Sequence, residues 1–258
     1  MTRPLPAIPA WPPKSAPRLF VCGPLAEAMV VQIEGAQAHY LLRVMRTAPG
    51  DSVILCDDLT GEWAAVADTT GKRDLALRCV SRLRVREDVP DFWLCPALLK
   101  KDRFDLVLEK ACELGVARIR PVLTRRCVAD RINPDRVATT LIEAAEQCAR
   151  TALPACDAPL ALAQLLADWP DDRTLFFADE TGGAPAAAQF AAHRGPAALL
   201  IGPEGGFDDG ERAAIRAQPA ARPITLGPRI LRGETAAIAA TALWMGIAGD
   251  WRTHEEKL

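Results

Sequence analysis

The sequence predicts an α/β fold preceded by a small all-β domain, and three observations carry that prediction. From about residue 89 onward, short apolar runs alternate with helical periodicities, an order that implies a mostly parallel sheet. Before that point the apolar runs are short and spaced by turn signals, as in a small β-barrel or sandwich. Third, two glycine-rich segments each follow an apolar run and lead into a helix start: Leu200-Ile201-Gly202-Pro203-Glu204-Gly205-Gly206-Phe207 and Leu226-Gly227-Pro228-Arg229-Ile230-Leu231-Arg232-Gly233-Glu234-Thr235-Ala236. Loops of that kind, at the carboxyl ends of parallel strands, are where an open α/β sheet builds its ligand crevice.

Residues 1–17 hold six prolines and almost no periodicity, so they are expected to form an extended arm. Strand-like runs follow at Arg18–Val21, Ser52–Asp57, Glu62–Ala67 and Leu75–Val80, separated by Pro49-Gly50-Asp51 and Leu59-Thr60-Gly61. The pattern changes near Val89-Pro90. Phe92–Ala97 reads as a strand, and Phe104, Val107, Leu108, Ala111 and Leu114 then keep helical spacing up to a capping Gly115. Val116–Leu123 returns to a strand, Thr139–Arg150 reads as a helix, and strands follow at Thr174–Ala178, Ala197–Ile201 and Ile224–Leu226. A helix over Ala236–Ile247 closes the order. The expected organisation is an arm over 1–17, a β domain over 18–87 and an α/β domain over 88–258.

Bulk composition excludes several classes. Hydrophobic content of 50% and charged content of 25% are those of a soluble globular chain. No apolar run approaches the ~20 residues of a membrane span. The start, Met1-Thr2-Arg3-Pro4-Leu5-Pro6, lacks the layout of a signal peptide. These features point to a cytoplasmic protein. The net charge of −2 hides an asymmetry: residues 1–86 carry 11 Lys/Arg against 8 Asp/Glu, whereas 157–258 carry 9 against 14. A weakly acidic total argues against a nonspecific nucleic-acid coat but leaves room for RNA on a local basic face. The eight cysteines form no CxxC pair and no cluster with histidine, so they are read as free, buried thiols and no metal is expected.

The first glycine-rich loop is neither a Walker A loop nor a dinucleotide fingerprint, because it has no Gly-Lys-Ser/Thr and no GxGxxG spacing. Asp208 and Glu211 form a capping pair for the helix that follows.

With these residues in view, the chain resembles the bacterial small-subunit ribosomal RNA uracil-N3 methyltransferases, S-adenosylmethionine enzymes of the knotted SPOUT class. The resemblance rests on five ordered motifs. His39-Tyr40-Leu41-Leu42-Arg43-Val44-Met45-Arg46 is similar to the family's His-x-x-x-Val-Leu-Arg segment, and Lys110–Val116 to its Lys-x-x-Glu-Leu-Gly-Val signature. Glu143–Arg150 is similar to its Glu-Ala-x-x-Gln-Ser/Cys-x-Arg helix, and the two glycine-rich loops match it most specifically. Gly233 is a departure, standing where the family usually has Thr. The resemblance implies a trefoil-knotted carboxy-terminal domain, a PUA-like amino-terminal barrel, a homodimer, and 16S ribosomal RNA of the 30S subunit as partner.

It also implies site residues. S-adenosylmethionine is expected against Leu200, Ile201, Gly202, Pro203, Glu204, Gly205 and Gly206 of one loop and Leu226, Gly227, Arg229, Ile230, Leu231 and Ala236 of the other. RNA is expected at Arg18, Arg43, Arg46, Arg125 and Arg126; Arg43 and Arg46, three apart on a short periodic segment, are expected to share a face, with a plain solvated face as the alternative. Uracil N3 carries a proton and is a poor nucleophile until it is lost, so the site needs a base or cations that stabilise the anion. Arg232, with Arg150, is assigned to that stabilisation, and Glu204 either orients its loop through backbone N–H groups or assists proton removal. A plain ion pair is the alternative for Arg232, and a helix-terminal one for Arg150. His39, His193 and His254 are read as packing or surface residues. Two other functions stay open: ribose 2′-O methylation within the same class, and a non-enzymatic RNA-binding module.

Overall fold

The computed structural model describes Pro12, Pro13 and residues 15–251, so most of the expected arm, and His254, lie outside the described residues. The chain divides into two compact units. One runs to Asp88 and includes Ala145–Ala152; the other comprises Val89–Ala144 and the chain from Leu153.

The first unit is built on five strands: β1 (Arg18–Phe20), β2 (Val30–Ile33), β3 (Ser52–Asp57), β4 (Gly61–Thr70) and β5 (Leu75–Arg84). They form one sheet in the order β1-β3-β4-β5-β2, parallel between β1 and β3 and antiparallel elsewhere. Register shifts along β4 and β5 bend it around a core of Leu19, Ile33, Leu41, Val53, Leu55, Leu75 and Leu77. Among the described residues no ladder joins β1 to β2. The β2 strand escapes the sequence because Val30–Ile33 is largely exposed and too short to show alternation. Between β2 and β3 stand a one-turn helix, α1 (Gly35–His39), and a π-helical turn, Tyr40–Val44.

Asp57 pins the turn between β3 and β4. Its carboxylate accepts from the backbone N–H of Leu25 at 2.7 Å, Leu59 at 2.7 Å and Gly61 at 3.2 Å, and from both the amide and, at 2.6 Å, the hydroxyl of Thr60. Burial alone would push this carboxyl up, but the hydrogen bonds from Thr60, Leu25 and Leu59 outweigh it and hold it below the ordinary carboxylate value.

The second unit begins at β6 (Phe92–Pro96) and α2 (Lys101–Glu113), the latter closed by Gly115 as the sequence indicates. The expected strand over Val116–Leu123 is two pieces, β7 (Arg118–Ile119) and β8 (Val122–Leu123), because Pro121 interrupts the ladder. Helix α3 (Pro134–Cys148) starts five residues before the expected Thr139, since Asn133 caps it through Asp135 and Arg136 and proline suits the first helical position. It stops at Ala149, which adopts φ 62°. There follow β9 (Ala155–Cys156), β10 (Leu160–Ala161), α4 (Leu162–Ala167), β11 (Thr174–Ala178), β12 (Ala184–Pro185), α5 (Ala186–Ala192), β13 (Ala197–Ile201), α6 (Asp209–Ala217), β14 (Ala221–Thr225) and α7 (Gly233–Ile247).

Seven of these strands form a wholly parallel sheet in the order β12-β14-β11-β13-β6-β7-β9, and β8 pairs with β10 apart from it. Both faces are covered, so central strands such as Ala197–Ile201 are buried at every position. Leu175, Phe177, Ala198 and Leu200 pack with Leu165, Trp169 and Ile215 of the α4 and α6 side. On the other face Phe176 meets Phe190 edge-on at 5.0 Å and Phe92 stacks on Trp244 at 4.2 Å. His193, read as a surface residue, instead packs edge-on against Phe176 at 5.3 Å.

All eight cysteines are free. Cys56, Cys79, Cys95 and Cys112 are buried, and burial pushes the Cys95 thiol up to about 12. Cys22 departs from the expectation by being exposed. No helix of the described residues is long and apolar enough to cross a membrane.

Because the folded carboxyl of Asp57 titrates below its unfolded value, its contribution to stability is complete above about pH 4 and is lost as pH falls through the depressed value. Asp57→Asn puts a donor where donors converge, and should cost on the order of 3 kcal/mol at pH 7 with a smaller penalty at pH 3. Denaturant melts at the two pH values check both the size and the sign; an equal penalty at both would show that the carboxylate charge is irrelevant.

Candidate functional site

Three neighbouring strands of the parallel sheet, β13, β11 and β14, end side by side, and the segments that follow them line a crevice of about 160 Å³ that opens to solvent. Ala178, Asp179 and Glu180 leave β11, Gly202 to Phe207 leave β13, and Leu226 to Leu231 leave β14. Its wall is apolar at Ile201, Phe207, Ile224, Leu226 and Leu231, and polar at Asp179, Glu180, Thr225 and Arg229.

The first loop turns tightly, with the Gly206 N–H donating to the carbonyl of Pro203 at 2.9 Å. It hands over to α6 through the capping box the sequence indicates: Asp208 accepts from the Glu211 amide at 2.7 Å, and Glu211 from the Asp208 amide at 3.1 Å. The Glu211 amide bond, with Arg125 beside it, holds the Asp208 carboxyl below its usual value. The second loop leads straight into α7, whose N-cap is Arg232. Gly233 is packed, not loose: a Cβ there would lie 3.0 Å from Leu99 Cδ2 and 3.2 Å from the carbonyl oxygen of Gly202. Leu99 thus occupies space beside the position where the resemblance leads one to expect threonine.

Of the residues expected to hold a cofactor, Ile201, Gly202, Pro203, Gly206, Leu226, Gly227, Arg229, Ile230, Leu231 and Ala236 line the crevice. Leu200, Glu204 and Gly205 do not. Leu200 points into the core between sheet and helices. Gly205 faces Arg126, which donates to its carbonyl at 2.6 Å. Glu204, read as an anchor for loop amides or a proton acceptor, is instead paired with Arg103 at 3.0 Å. Arg103 also lies 3.6 Å from Glu234, which is 8% exposed and keeps Oε2 without a hydrogen-bond partner.

The expected catalytic arginines belong to different units. Arg232 is exposed, and its guanidinium has no partner among the described residues. Arg150 belongs to the first unit, follows the left-handed turn at Ala149 and is only 5% exposed, and it does not line the crevice. Among the expected RNA contacts, Arg43 and Arg46 are exposed; Arg46 takes φ 57°, so the two do not continue one helical face. Arg18 is spent internally, on Glu62 at 2.8 Å and Cys56 Sγ at 3.4 Å, because it stands at a β-strand edge beside a buried carboxylate. Arg125 and Arg126 clasp the first loop through Asp208 and the Gly205 carbonyl.

Asp179 and Glu180 were missed, although two acids directly after the expected strand Thr174–Ala178 were a usable signal. Asp179 is fully buried and saturated, receiving Arg212 at 2.5 Å, Arg216 at 2.6 and 3.0 Å, and the hydroxyl and amide of Thr181 at 2.8 and 3.0 Å. Burial would raise this carboxyl, but hydrogen bonds from Arg216, Thr181 and Arg212 outweigh it and hold it low. No group of three or more His, Cys, Asp or Glu among the described residues could hold a metal ion.

The glycine that matters most is Gly206 rather than Gly205. Gly206 has φ 68°, and a Cβ on it would fall 2.6 Å from Glu180 Oε1. Gly206→Ala should therefore cost about 1–2 kcal/mol from the backbone alone, whereas Gly205→Ala, facing only the flexible stem of Arg126, should cost far less. Thermal melts of the two variants side by side test this; equal losses would contradict the assignment.

Comparisons with known proteins agree with this architecture. Residues 86–245 match the family described as the RNA methyltransferase domain, and residues 33–67 the RNA methyltransferase PUA domain. The ribosomal RNA small subunit methyltransferase E of Synechocystis is 31% identical, over 87% of this chain and 76% of the relative. That of Rickettsia conorii is 28% identical, over 87% of this chain and 93% of the relative. The crystal structure of the Neisseria gonorrhoeae enzyme of that name, bound to S-adenosyl methionine, superposes with a TM-score of 0.83 at 25% identity, covering 92% of this chain and 99% of that one. By the extent of these matches, the chain belongs to the RNA methyltransferase family, alongside the ribosomal RNA small subunit methyltransferase E proteins.

Proposed function

We propose that this protein is an S-adenosylmethionine-dependent methyltransferase that modifies N3 of a uridine in the 16S ribosomal RNA of the small subunit. The observation that carries the reading is the crevice at the ends of β11, β13 and β14, formed by the two glycine-rich loops. Its residues fit the cofactor. An apolar wall of Ile201, Phe207, Ile224 and Leu226 suits an adenine ring, and Glu180 and Arg229 offer one charge of each sign to its polar parts. Ile201, Gly202, Pro203, Gly206, Leu226, Gly227, Ile230, Leu231 and Ala236 would hold it. When bound, S-adenosylmethionine supplies a methyl group activated by its positive sulfonium.

The protein's own task is to align the acceptor, exclude water and make N3 anionic. Arg232 stands at the N-terminal end of α7, with an unengaged guanidinium at the end of the second loop. There both its charge and the positive helix end favour an anion, so Arg232 would stabilise uracilate as the proton leaves. Glu204 would act at one remove, steadying its loop through Arg103. Ile230, 92% exposed beside Arg229, offers an apolar surface for the substrate base. The first unit would serve as a PUA-like barrel over residues 18–87, presenting Arg43 and Arg46 to phosphates. The carboxy-terminal part, residues 88–258, would carry the two loops in a trefoil knot. An apolar groove along α3, lined by Ile132, Val137, Leu141 and Leu153, leaves room for a second copy and supports a homodimer. The protein would work in the cytoplasm, where a ribosomal RNA substrate is met.

Incubation with 30S subunits and S-adenosylmethionine, followed by nucleoside mass spectrometry, should yield N3-methyluridine; a 2′-O-methyl nucleoside would replace this reading with ribose methylation. Arg232→Ala should lower the single-turnover rate by on the order of 10²–10³ with little change in cofactor affinity. Arg232→Lys should restore little, since a point charge does not reproduce a planar fork. A near-normal single-turnover rate in the Ala variant would remove Arg232 from the chemistry.

A further inference from the structure

We infer that Glu180 is the residue that recognises the ribose hydroxyls of the cofactor. The inference rests on the reading of the crevice as a site for S-adenosylmethionine. Two carboxylates line that crevice, Asp179 and Glu180, and they differ in what they have left to offer. Every acceptor position of Asp179 is engaged by Arg212, Arg216 and Thr181, and its side chain is fully buried. It is structural. Glu180 is half exposed and receives a single bond, from Arg212 Nη2 to Oε1 at 2.9 Å, which leaves Oε2 free.

The position of that carboxylate is fixed from two sides. Arg212, itself only 13% exposed, bridges Asp179 through Nη1 and Glu180 through Nη2, so the glutamate is held against a buried anchor. Opposite, the carboxylate lies over Gly206, where a Cβ would be 2.6 Å from Oε1 and 2.9 Å from Oε2. A side chain at Gly206 would displace it. The missing side chain and the held carboxylate together make a preformed acceptor at the mouth of the first loop.

The chemistry of the group selects its ligand. A carboxylate with free lone pairs takes donors, which on this cofactor are the ribose hydroxyls, the adenine amino group and the ammonium. Arg212 already neutralises much of the charge on Glu180, which weakens the case for a cation and favours neutral hydroxyls. An acidic side chain just past a strand's carboxyl end is also where nucleotide-binding α/β sheets meet a ribose.

The test is calorimetry with S-adenosylhomocysteine, its 2′,3′-dideoxy analogue and its analogue lacking the α-amino group, each against the wild-type protein and Glu180→Gln. The glutamine keeps the size of the side chain and a bond to Arg212, and an unchanged melting temperature confirms the fold. Wild type should bind S-adenosylhomocysteine about ten-fold or more tighter than Glu180→Gln does. That difference should persist with the deaminated analogue and vanish with the dideoxy analogue. Equal binding by the two proteins, or a difference that vanishes with the deaminated analogue instead, overturns the assignment while leaving the crevice as a cofactor site. Failure of the wild-type protein to bind S-adenosylhomocysteine at all would overturn the functional reading as well.

Discussion

The guanidinium of Arg212 is the point on which the crevice depends. From α6 it reaches back to the fully buried Asp179 at 2.5 Å, to Glu180 at 2.9 Å and to the carbonyl of Phe207 at 3.2 Å. It therefore ties the segment after β11 to the loop after β13, two walls that no backbone ladder joins. A buried pair of this kind is weak evidence for net stability, because desolvation offsets most of the attraction. Its value is geometric. Without Arg212, Asp179 would keep Arg216 and Thr181, but the tie to Glu180 and to the Phe207 carbonyl would be lost. Arg216 fastens the same aspartate a turn later, and the Asp208–Glu211 box fixes where α6 begins. The helix start, the arginine spacing and the acidic pair after β11 form one device.

Much of that device was legible in the sequence, though not its central contact. The strands Thr174–Ala178 and Ala197–Ile201 are found where their apolar runs lie, because strands buried on both faces read as unbroken hydrophobic segments. The capping box reads directly from Asp208 and Glu211, since it depends only on local spacing. The helix α5 is hidden because Ala186–Ala192 is nearly all alanine and has no polar face to set a period. The head of α3 was misplaced because its start rests on Asn133 and Pro134, a cap and a first-turn residue outside the apolar period.

The site residues divide along the same line. Loop backbone is legible, since glycines between a strand and a helix start announce a turn. Which of three glycines takes a positive φ is not, because that is decided by the partner across the turn, here Glu180 over Gly206. The fate of an arginine is still less legible. Arg18, Arg125 and Arg126 look like Arg43 and Arg46 in sequence, yet the first three meet carboxylates or carbonyls brought in from distant segments. An exposed cation and a clasp differ only in tertiary contacts.

That division bears on how such a protein handles RNA. Most arginines of the second unit that stand near the crevice are committed: Arg103 to Glu204, Arg125 to Asp208, Arg126 to Gly205, Arg212 and Arg216 to Asp179. Arg229 and Arg232 are not, and they flank Ile230, which is 92% exposed. A single exposed apolar side chain is ordinary on a protein surface, but this one stands in the second loop among arginines that the rest of the chain does not engage. Under the proposed reading a nucleobase would give the isoleucine an apolar face and Arg232 a developing anion, while Arg229 is left to the cofactor. The committed arginines hold the crevice in shape beforehand, so binding energy from the free ones can go to orienting the acceptor rather than to building the site.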